Sequence, residues 1–285
     1  MIILTNGCSH TRGACRNCYE DSYASIVTKS LIGTDYIQVT LREYSINSFT
    51  FTPIINLIKE NPTKDIHILL ADYGKSNELI FFETLNILYQ LDKHNIKIDF
   101  SIIQWTGPNR RVHSLFDKII KVNPYDNYEY GVKFEPWASA TTLQYILTIQ
   151  NELEKRNINY CFVPYMEVHS DHNIDFNLTE FLNLKRFTTH PFEGHRNDFR
   201  YRNLCCDVSG HPSLLGNYVL AGKVLDILGY PDSILGFYDY FNKTKLGMSP
   251  HLGLTDYVID NKSIIQKLKG RLGDATKSEL KKIGL

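Results

Sequence analysis

The sequence predicts an α/β fold in which a mostly parallel five-stranded sheet is covered by helices on both faces. Short apolar runs alternate with segments of helical spacing over the first 230 residues, as in chains of βα units. Most of the apolar runs end at or near Gly, Asn, Asp or Pro, which is typical of buried parallel strands that end in loops. We therefore expect a three-layer α/β/α architecture.

The strands and helices follow one another regularly along the chain. We predict strands at residues 2–5, 36–39, 66–71, 98–105 and 159–164. Helical spacing is present at residues 22–31, 53–60, 78–91, 141–156 and 212–228. Capping signals support these limits: Asp21 or Ser22 precedes the first helix, Gly33 follows it, and Gly229 follows the last.

Two long connections and a tail fall outside this alternation. Residues 106–140 and 166–210 are rich in aromatic, His, Asn and Asp residues, and connections of this length often cover or form a site. Residues 236–285 form a Lys-rich tail that we expect to be helical, either as a solvated appendage or as an oligomer contact. The expected organisation is one domain over residues 1–235 followed by this tail.

Composition excludes several classes of function. The chain has 31 Lys and Arg residues against 31 Asp and Glu residues, so it lacks the excess charge of a nucleic-acid or membrane-surface protein. No apolar run approaches the ~20 residues that a membrane helix needs. The first residues lack the features of a signal peptide. We therefore expect a cytoplasmic protein whose six cysteines are thiols or metal ligands rather than disulfides.

Polar residues follow each of the first four predicted strands. Gly7-Cys8-Ser9 follows the first strand, Ser45-Ile46-Asn47 the second, Gly74-Lys75-Ser76-Asn77 the third and Gly107-Pro108-Asn109 the fourth. Sites in open α/β sheets lie outside the carboxyl ends of the strands. These four loops are therefore the predicted location of the functional site.

A serine nucleophile fits this arrangement best. Ser9 lies at a strand-to-helix turn between glycines, where its hydroxyl and nearby backbone N–H groups are available. His211 precedes the last predicted helix and supplies a base, and Asp207 is close enough in the chain to orient the imidazole. Asn47 and Asn77 carry amide donors for an oxyanion.

The motifs at the two ends of the chain resemble those of the SGNH (GDSL-type) hydrolases, particularly divergent forms often encoded by tailed phages. "GCSHTRG" at residues 7–13 matches the nucleophile turn, and "DVSGHPSLLGNYVLAGKVL" matches the Asp…His-Pro motif and its helix. The resemblance spans residues 1–230 and implies a flavodoxin-like strand order of 2-1-3-4-5. It also implies Ser9, His211 and Asp207 as the catalytic triad, with ester hydrolysis through an acyl-enzyme and no cofactor.

The resemblance leaves the side-chain donor of the oxyanion hole open. The family's third motif is Gly-x-Asn, and Gly107-Pro108-Asn109 is its closer spelling. The loop from Gly74 to Asn77 instead follows the third strand, so strand counting places Asn77 ahead of Asn109. Asn47, in the loop after the second strand, is a further candidate.

The cysteines near these motifs allow a metal or a crosslink as an alternative. Cys15 and Cys18 have the two-residue gap of a zinc half-site, and Cys205-Cys206 directly precedes Asp207. The two pairs could bind zinc or form a disulfide between the two motifs. Adjacent cysteines are unusual zinc ligands, so we predict no metal, and we expect Cys8 to be a small buried side chain.

Two functions follow from this interpretation. The first is hydrolysis of a small acyl ester, such as an O-acetyl group on a carbohydrate, and the partner is then a small-molecule or glycan ester. The alternative is a non-catalytic phage structural or assembly protein, located in the host cytoplasm or the virion. The absence of a glycine near Ser45-Ile46-Asn47, and of an acid at Cys8, favours the alternative. An oligomer could form through the tail.

Overall fold

The strands and helices of the computed structural model cover most of the predicted domain. It describes residues 1–12, 22–40, 51–73, 75–107, 111–115, 118–122, 136–164, 178–188 and 214–231. The strands are β1 (Ile2–Asn6), β2 (Tyr36–Thr40), β3 (Asp65–Leu69), β4 (Phe100–Trp105), β5 (Arg111–Leu115), β6 (Lys118–Val122) and β7 (Asn159–Pro164). The helices are α1 (Ser9–Arg12), α2 (Tyr23–Ile32), α3 (Thr52–Glu60), α4 (Asn77–Lys93), α5 (Pro136–Lys155) and α6 (Leu214–Leu228).

The five predicted strands form one parallel sheet, which confirms the predicted α/β class. Its order is β2-β3-β1-β4-β7, with β1 at the centre. Ile3 lies opposite His67 of β3 on one side and Phe100 of β4 on the other. The flavodoxin-like order would place β1 beside β2, and this detail of the prediction is wrong. An apolar sequence predicts only that a strand is buried, whereas the crossover connections determine which strands are its neighbours. The residues of β1 and β3 are therefore compatible with the position beside β2 and with the central position.

Helices cover both faces of the sheet, as predicted. Alternate strand residues point to opposite faces. One face packs against α3, α4 and α5 in a core that includes Leu4, Ile68 and Phe162. On the other face α6 contacts β7 and packs against α2. Both faces of the central sheet are therefore covered by helices, which accounts for the continuous apolar runs of its strands.

Local sequence signals set the helix ends. Ser22, one of the two predicted caps, accepts a hydrogen bond from Ser25 N at 3.2 Å at the start of α2. Gly33 ends that helix with φ 79°, a conformation that glycine adopts without strain. Ser76 caps α4 in the same way by accepting from Leu79 N at 3.2 Å.

The two long connections contain structure that the sequence analysis did not predict. An antiparallel hairpin of β5 and β6 lies within residues 106–140. Two short 3-10 turns, Leu178–Phe181 and Leu184–Arg186, lie within residues 166–210, and between them Asn183 N donates to Gln150 Oε1 of α5 at 2.8 Å. The boundary at residue 235 and the tail lie outside the described residues. None of the described helices is long and apolar enough to cross a membrane.

Candidate active site

Ser9 lies on the turn that leaves the carboxyl end of the central strand. It is the first residue of α1, directly after β1, Gly7 and Cys8, and it is 5% exposed. Arg12 N donates to Cys8 O at 3.2 Å and closes the turn. The strand-to-helix turn predicted at this point is therefore present, at the sheet edge where α/β sites form.

Gly7 gives this turn its close packing. A Cβ at this position would overlap Thr11 Oγ1 and lie 2.8 Å from Gln104 Cβ. The backbone of Gly7 is held from two sides, since its N–H donates to Asn6 Oδ1 at 2.8 Å and its carbonyl accepts from Asp72 N at 3.3 Å. Any larger residue would displace the turn that carries Ser9.

Gln104 of β4 binds the other side of the turn. Its Oε1 accepts from Thr11 N at 3.0 Å, from Thr11 Oγ1 at 2.5 Å and from Cys8 Sγ at 3.5 Å. Cys8 is fully buried, as expected for a small side chain beside Ser9. Gln104 was not among the predicted site residues, although an amide side chain within the largely apolar run of β4 was a visible signal.

The contact extends from Thr11 to α2. Tyr23 OH lies 2.9 Å from Thr11 Oγ1. Burial raises the pKa of Tyr23 far above its usual range, so the phenol stays protonated and can donate. The hydrogen bonds then run in one direction, from Tyr23 through Thr11 to Gln104.

A buried ion pair supports the start of the turn. Lys75 is 1% exposed, and its Nζ donates to Glu83 Oε2, to Leu70 O and to Asn6 Oδ1, the last at 3.0 Å. Asn6 Nδ2 in turn donates to Thr84 Oγ1 at 3.0 Å and to the carbonyl of α4 residue Ile80 at 3.1 Å. The residue before Gly7 is thus fixed by three groups from two other segments, the loop after β3 and α4.

A second ion pair lies on the loop after β3. Arg12 is 3% exposed, and its Nη1 donates to Asp72 Oδ1 at 2.5 Å. Its guanidinium lies 4.4 Å from the centre of the Tyr73 ring. The end of α1 is therefore bound to the loop that leads towards Gly74.

Asn77 has a structural role in this arrangement. Its Nδ2 donates to Thr106 O at 2.8 Å and to Thr142 Oγ1 at 3.2 Å, and its Oδ1 accepts from Thr106 N at 2.7 Å. Both amide hydrogens are thus already donated, and they bind the end of β4 to α4 and α5. These contacts do not support the expected role of Asn77 as an oxyanion donor.

The start of α6 contacts the residues around the turn. Asn217 Oδ1 accepts from Tyr23 N at 2.9 Å, and Asn217 is 5% exposed. Tyr23 is also the residue whose hydroxyl contacts Thr11. The helix that follows the C-terminal motif therefore begins close to the turn that carries Ser9.

The remaining predicted site residues all lie outside the described residues. They are Asp207, His211, Asn47, Asn109, Gly74, Cys15, Cys18, Cys205 and Cys206. Within the described part of the chain, no group of three or more His, Cys, Asp or Glu side chains could hold a metal ion.

Comparisons with known proteins give distant structural matches only. No family model matches the sequence, and no curated protein does. Solved structures with a similar fold include the psychrotrophic esterase EstA from Pseudoalteromonas sp., with 9% identity, coverage of 85% of this chain and 99% of that chain, and a TM-score of 0.38. The lipase Lip_vut3 from a goat rumen metagenome has 12% identity, 81% and 98% coverage and a TM-score of 0.40. The acetyl xylan esterase AlAXEase has 13% identity, 79% and 98% coverage and a TM-score of 0.38. At TM-scores this low, the likeness by itself assigns no activity to the chain.

Proposed function

We propose that the protein is a serine ester hydrolase of the SGNH type that works through an acyl-enzyme. The observation that carries the proposal is the position of Ser9, on a tight turn at the carboxyl end of the central strand. The turn is held from one side by Asn6 and from the other by Gln104. A nucleophile and an oxyanion donor need such a rigid support, because small displacements greatly reduce the rate.

The proposed reaction uses Ser9 and the C-terminal motif. Ser9 Oγ attacks the ester carbonyl carbon while His211 takes the hydroxyl proton, and the Ser9 N–H with the Asn47 or Asn109 amide stabilises the oxyanion. His211 returns the proton to the leaving alcohol as the ester bond breaks, and Asp207 orients the imidazole throughout. Water, deprotonated by His211, then cleaves the acyl-enzyme and releases the carboxylic acid.

Contacts of α6 support the pairing of the two motifs. Asn217, which binds Tyr23 N at 2.9 Å, lies only six residues after His211 in the chain. Tyr23 binds Thr11, two residues after Ser9. The base therefore belongs to a segment that leads directly into the surroundings of the nucleophile turn.

The proposed substrate is an ester with a small acyl group, such as O-acetyl on a carbohydrate. The support for a small acyl group is that Ser9 is only 5% exposed, because a small acyl group reaches a nearly buried hydroxyl more easily than a bulky one. Aromatic residues of the 106–140 connection are the expected platform for a sugar ring, and they are Tyr125, Tyr128, Tyr130, Phe134 and Trp137.

A fluorophosphonate probe tests the proposal directly, because it forms a stable covalent bond with an activated serine. We expect the wild-type protein to gain one adduct by intact-mass spectrometry and to hydrolyse p-nitrophenyl acetate. The Ser9→Ala variant should do neither. Ser30→Ala is the matched control, since this serine lies in the last turns of α2 and donates to Ile26 O of the same helix at 2.8 Å.

The results also separate the proposal from its alternative. Labelling that persists in Ser9→Ala would assign the nucleophile elsewhere. A folded wild-type protein that is neither labelled nor active on acetyl esters would contradict the enzymatic function and favour a non-catalytic structural or assembly protein.

A further inference from the structure

We propose that Gln104 is a positioning residue that sets the orientation of the Ser9 turn through Cys8 and Thr11. This inference rests on the proposed function, because the turn it positions carries the nucleophile and its backbone N–H. Gln104 belongs to β4, the strand beside β1, and its hydrogen bonds to the turn are with Cys8 and Thr11, on either side of Ser9. Its effect on the reaction is therefore exerted through the backbone of residues 8–11.

The first argument is that three donors of the turn converge on one oxygen. Gln104 Oε1 accepts from both the N–H and the hydroxyl of Thr11 and from the thiol of Cys8. These two residues flank Ser9 and His10, so one acceptor constrains both ends of the short segment that contains the nucleophile. The Thr11 N–H can only donate, and it therefore fixes which end of the Gln104 amide faces the turn.

The second argument is the unused half of the same side chain. Gln104 Nε2 is buried and has no hydrogen-bond partner within the part of the chain that the structure describes. A buried donor without a partner lowers stability, and an apolar residue of similar size would avoid that loss. A glutamine that binds the turn only through its oxygen is thus expected where the turn needs an acceptor.

The third argument is that the contact connects the two sides of the proposed site. Tyr23 donates from its hydroxyl to Thr11, and its N–H donates to Asn217 of α6. Gln104 ends this chain of hydrogen bonds as its final acceptor. Loss of the acceptor would release Thr11. The position of the nucleophile turn relative to α6, the helix that follows His211, would then no longer be fixed by this chain of hydrogen bonds.

The experiment compares Gln104→Met with Gln104→Glu. Methionine keeps the volume and removes the acceptor, and we expect the fluorophosphonate labelling rate and kcat to fall by about tenfold to a hundredfold with little change in KM. Glutamate keeps an oxygen acceptor at the same place and replaces the unpartnered NH2 with a second carboxyl oxygen. Burial favours the neutral carboxylic acid at this position, so Gln104→Glu should retain a rate much closer to wild type than Gln104→Met does. Ser101→Ala, which changes a buried hydroxyl elsewhere on β4, is the control and should leave the rate unchanged.

Amide hydrogen exchange at Thr11 supplies a readout that does not depend on esterase activity. Exchange should accelerate in Gln104→Met and stay slow in Gln104→Glu. If Gln104→Met does not fold, Thr11→Val tests the same contact, because it removes the hydroxyl link and keeps the shape. It should lower the labelling rate, whereas Thr11→Ser should retain it.

The outcomes separate this inference from the proposed function. Wild-type labelling that is equally fast in Gln104→Met, or in Thr11→Val where that variant replaces it, overturns the inference and leaves the esterase function intact. Equal losses in Gln104→Met and Gln104→Glu also overturn it, since packing rather than the acceptor would then explain the effect. A wild-type protein that does not react with the probe overturns both.

Discussion

His67 is a fully buried histidine in the middle of β3, and its surroundings keep it neutral. Its Nε2 lies 3.0 Å from Thr5 Oγ1 and its Nδ1 lies 3.3 Å from Gln38 Oε1, so neither neighbour carries a charge. The Tyr36 ring packs edge-on against the imidazole with centroids 6.1 Å apart. Burial lowers the pKa of His67 from 6.5 to about 3.

This shift makes stability dependent on pH. Below pH 6.5 the unfolded chain binds a proton at His67 that the folded protein does not bind until the pH nears 3. The free energy of unfolding should therefore fall by about 1.4 kcal/mol for each pH unit in this interval from His67 alone. The contribution is fully present above pH 6.5 and is lost as the pH falls.

Urea unfolding of wild type and His67→Gln between pH 4 and pH 8 measures this contribution. The variant should be less stable at pH 8, where only packing and hydrogen bonding differ, and its stability should decline less steeply towards pH 4. Parallel pH profiles for the two proteins would show that His67 does not contribute the predicted term.

At the scale of elements, the Lys75–Glu83 pair connects β1, the loop after β3 and α4. Both side chains are buried, and the ammonium also binds Asn6 at the end of β1. Desolvation of two charges offsets much of their attraction, so the pair as a whole adds little stability. Removing one partner is different, because it leaves the other charge buried without its counter-ion.

A double-mutant cycle tests this expectation. Lys75→Met and Glu83→Gln should each lower the free energy of unfolding by about 3–5 kcal/mol. The double variant should lose much less than the sum of the two, since neither charge then remains in the core. Additive losses in urea unfolding would indicate that the two side chains do not interact in the folded protein.

The positions of the strands and helices of the main sheet were largely predictable from the sequence, whereas the segments that each of them contacts were not. Ser22 and Gly33 act within their own turn of chain, so local residues define the ends of α2. The β5–β6 hairpin was missed because its run mixes polar and apolar residues and contains no glycine that would signal a turn. Asn77 was assigned to an oxyanion hole because of its loop. Its actual contacts with Thr106 and Thr142 depend on where β4 and α5 pass, which no local pattern encodes.

At the scale of the whole molecule, α6 binds the rest of the domain at both ends. Near its start, Asn217 accepts from Tyr23 N at 2.9 Å. At its end, Leu228 O accepts from Asn159 Nδ2 of β7 at 3.0 Å. Only the first of these contacts leads to the Ser9 turn, so the two ends of one helix can be compared.

The variants Asn217→Ala and Asn159→Ala each remove the side-chain contact at one end of α6, so their effects on stability and on labelling can be compared. The first variant leaves the buried Tyr23 N–H without its acceptor and should lower the free energy of unfolding by about 1–3 kcal/mol. It should also slow labelling of Ser9 by the fluorophosphonate probe. Asn159→Ala should lower stability without slowing labelling, and slower labelling in both variants would mean that general loosening of α6 explains the effect.

The central position of β1 also has a consequence for how the chain folds. Its partners come from far along the sequence, because Ile3 lies opposite both His67 and Phe100. The strand that carries the Ser9 turn is thus synthesised before both of its neighbours, and its ladders cannot close until β3 and β4 have followed. Such distant pairing gives the sheet a high contact order and predicts slow folding. Until both neighbours arrive, β1 is an apolar strand with open edges, at risk of pairing with another chain.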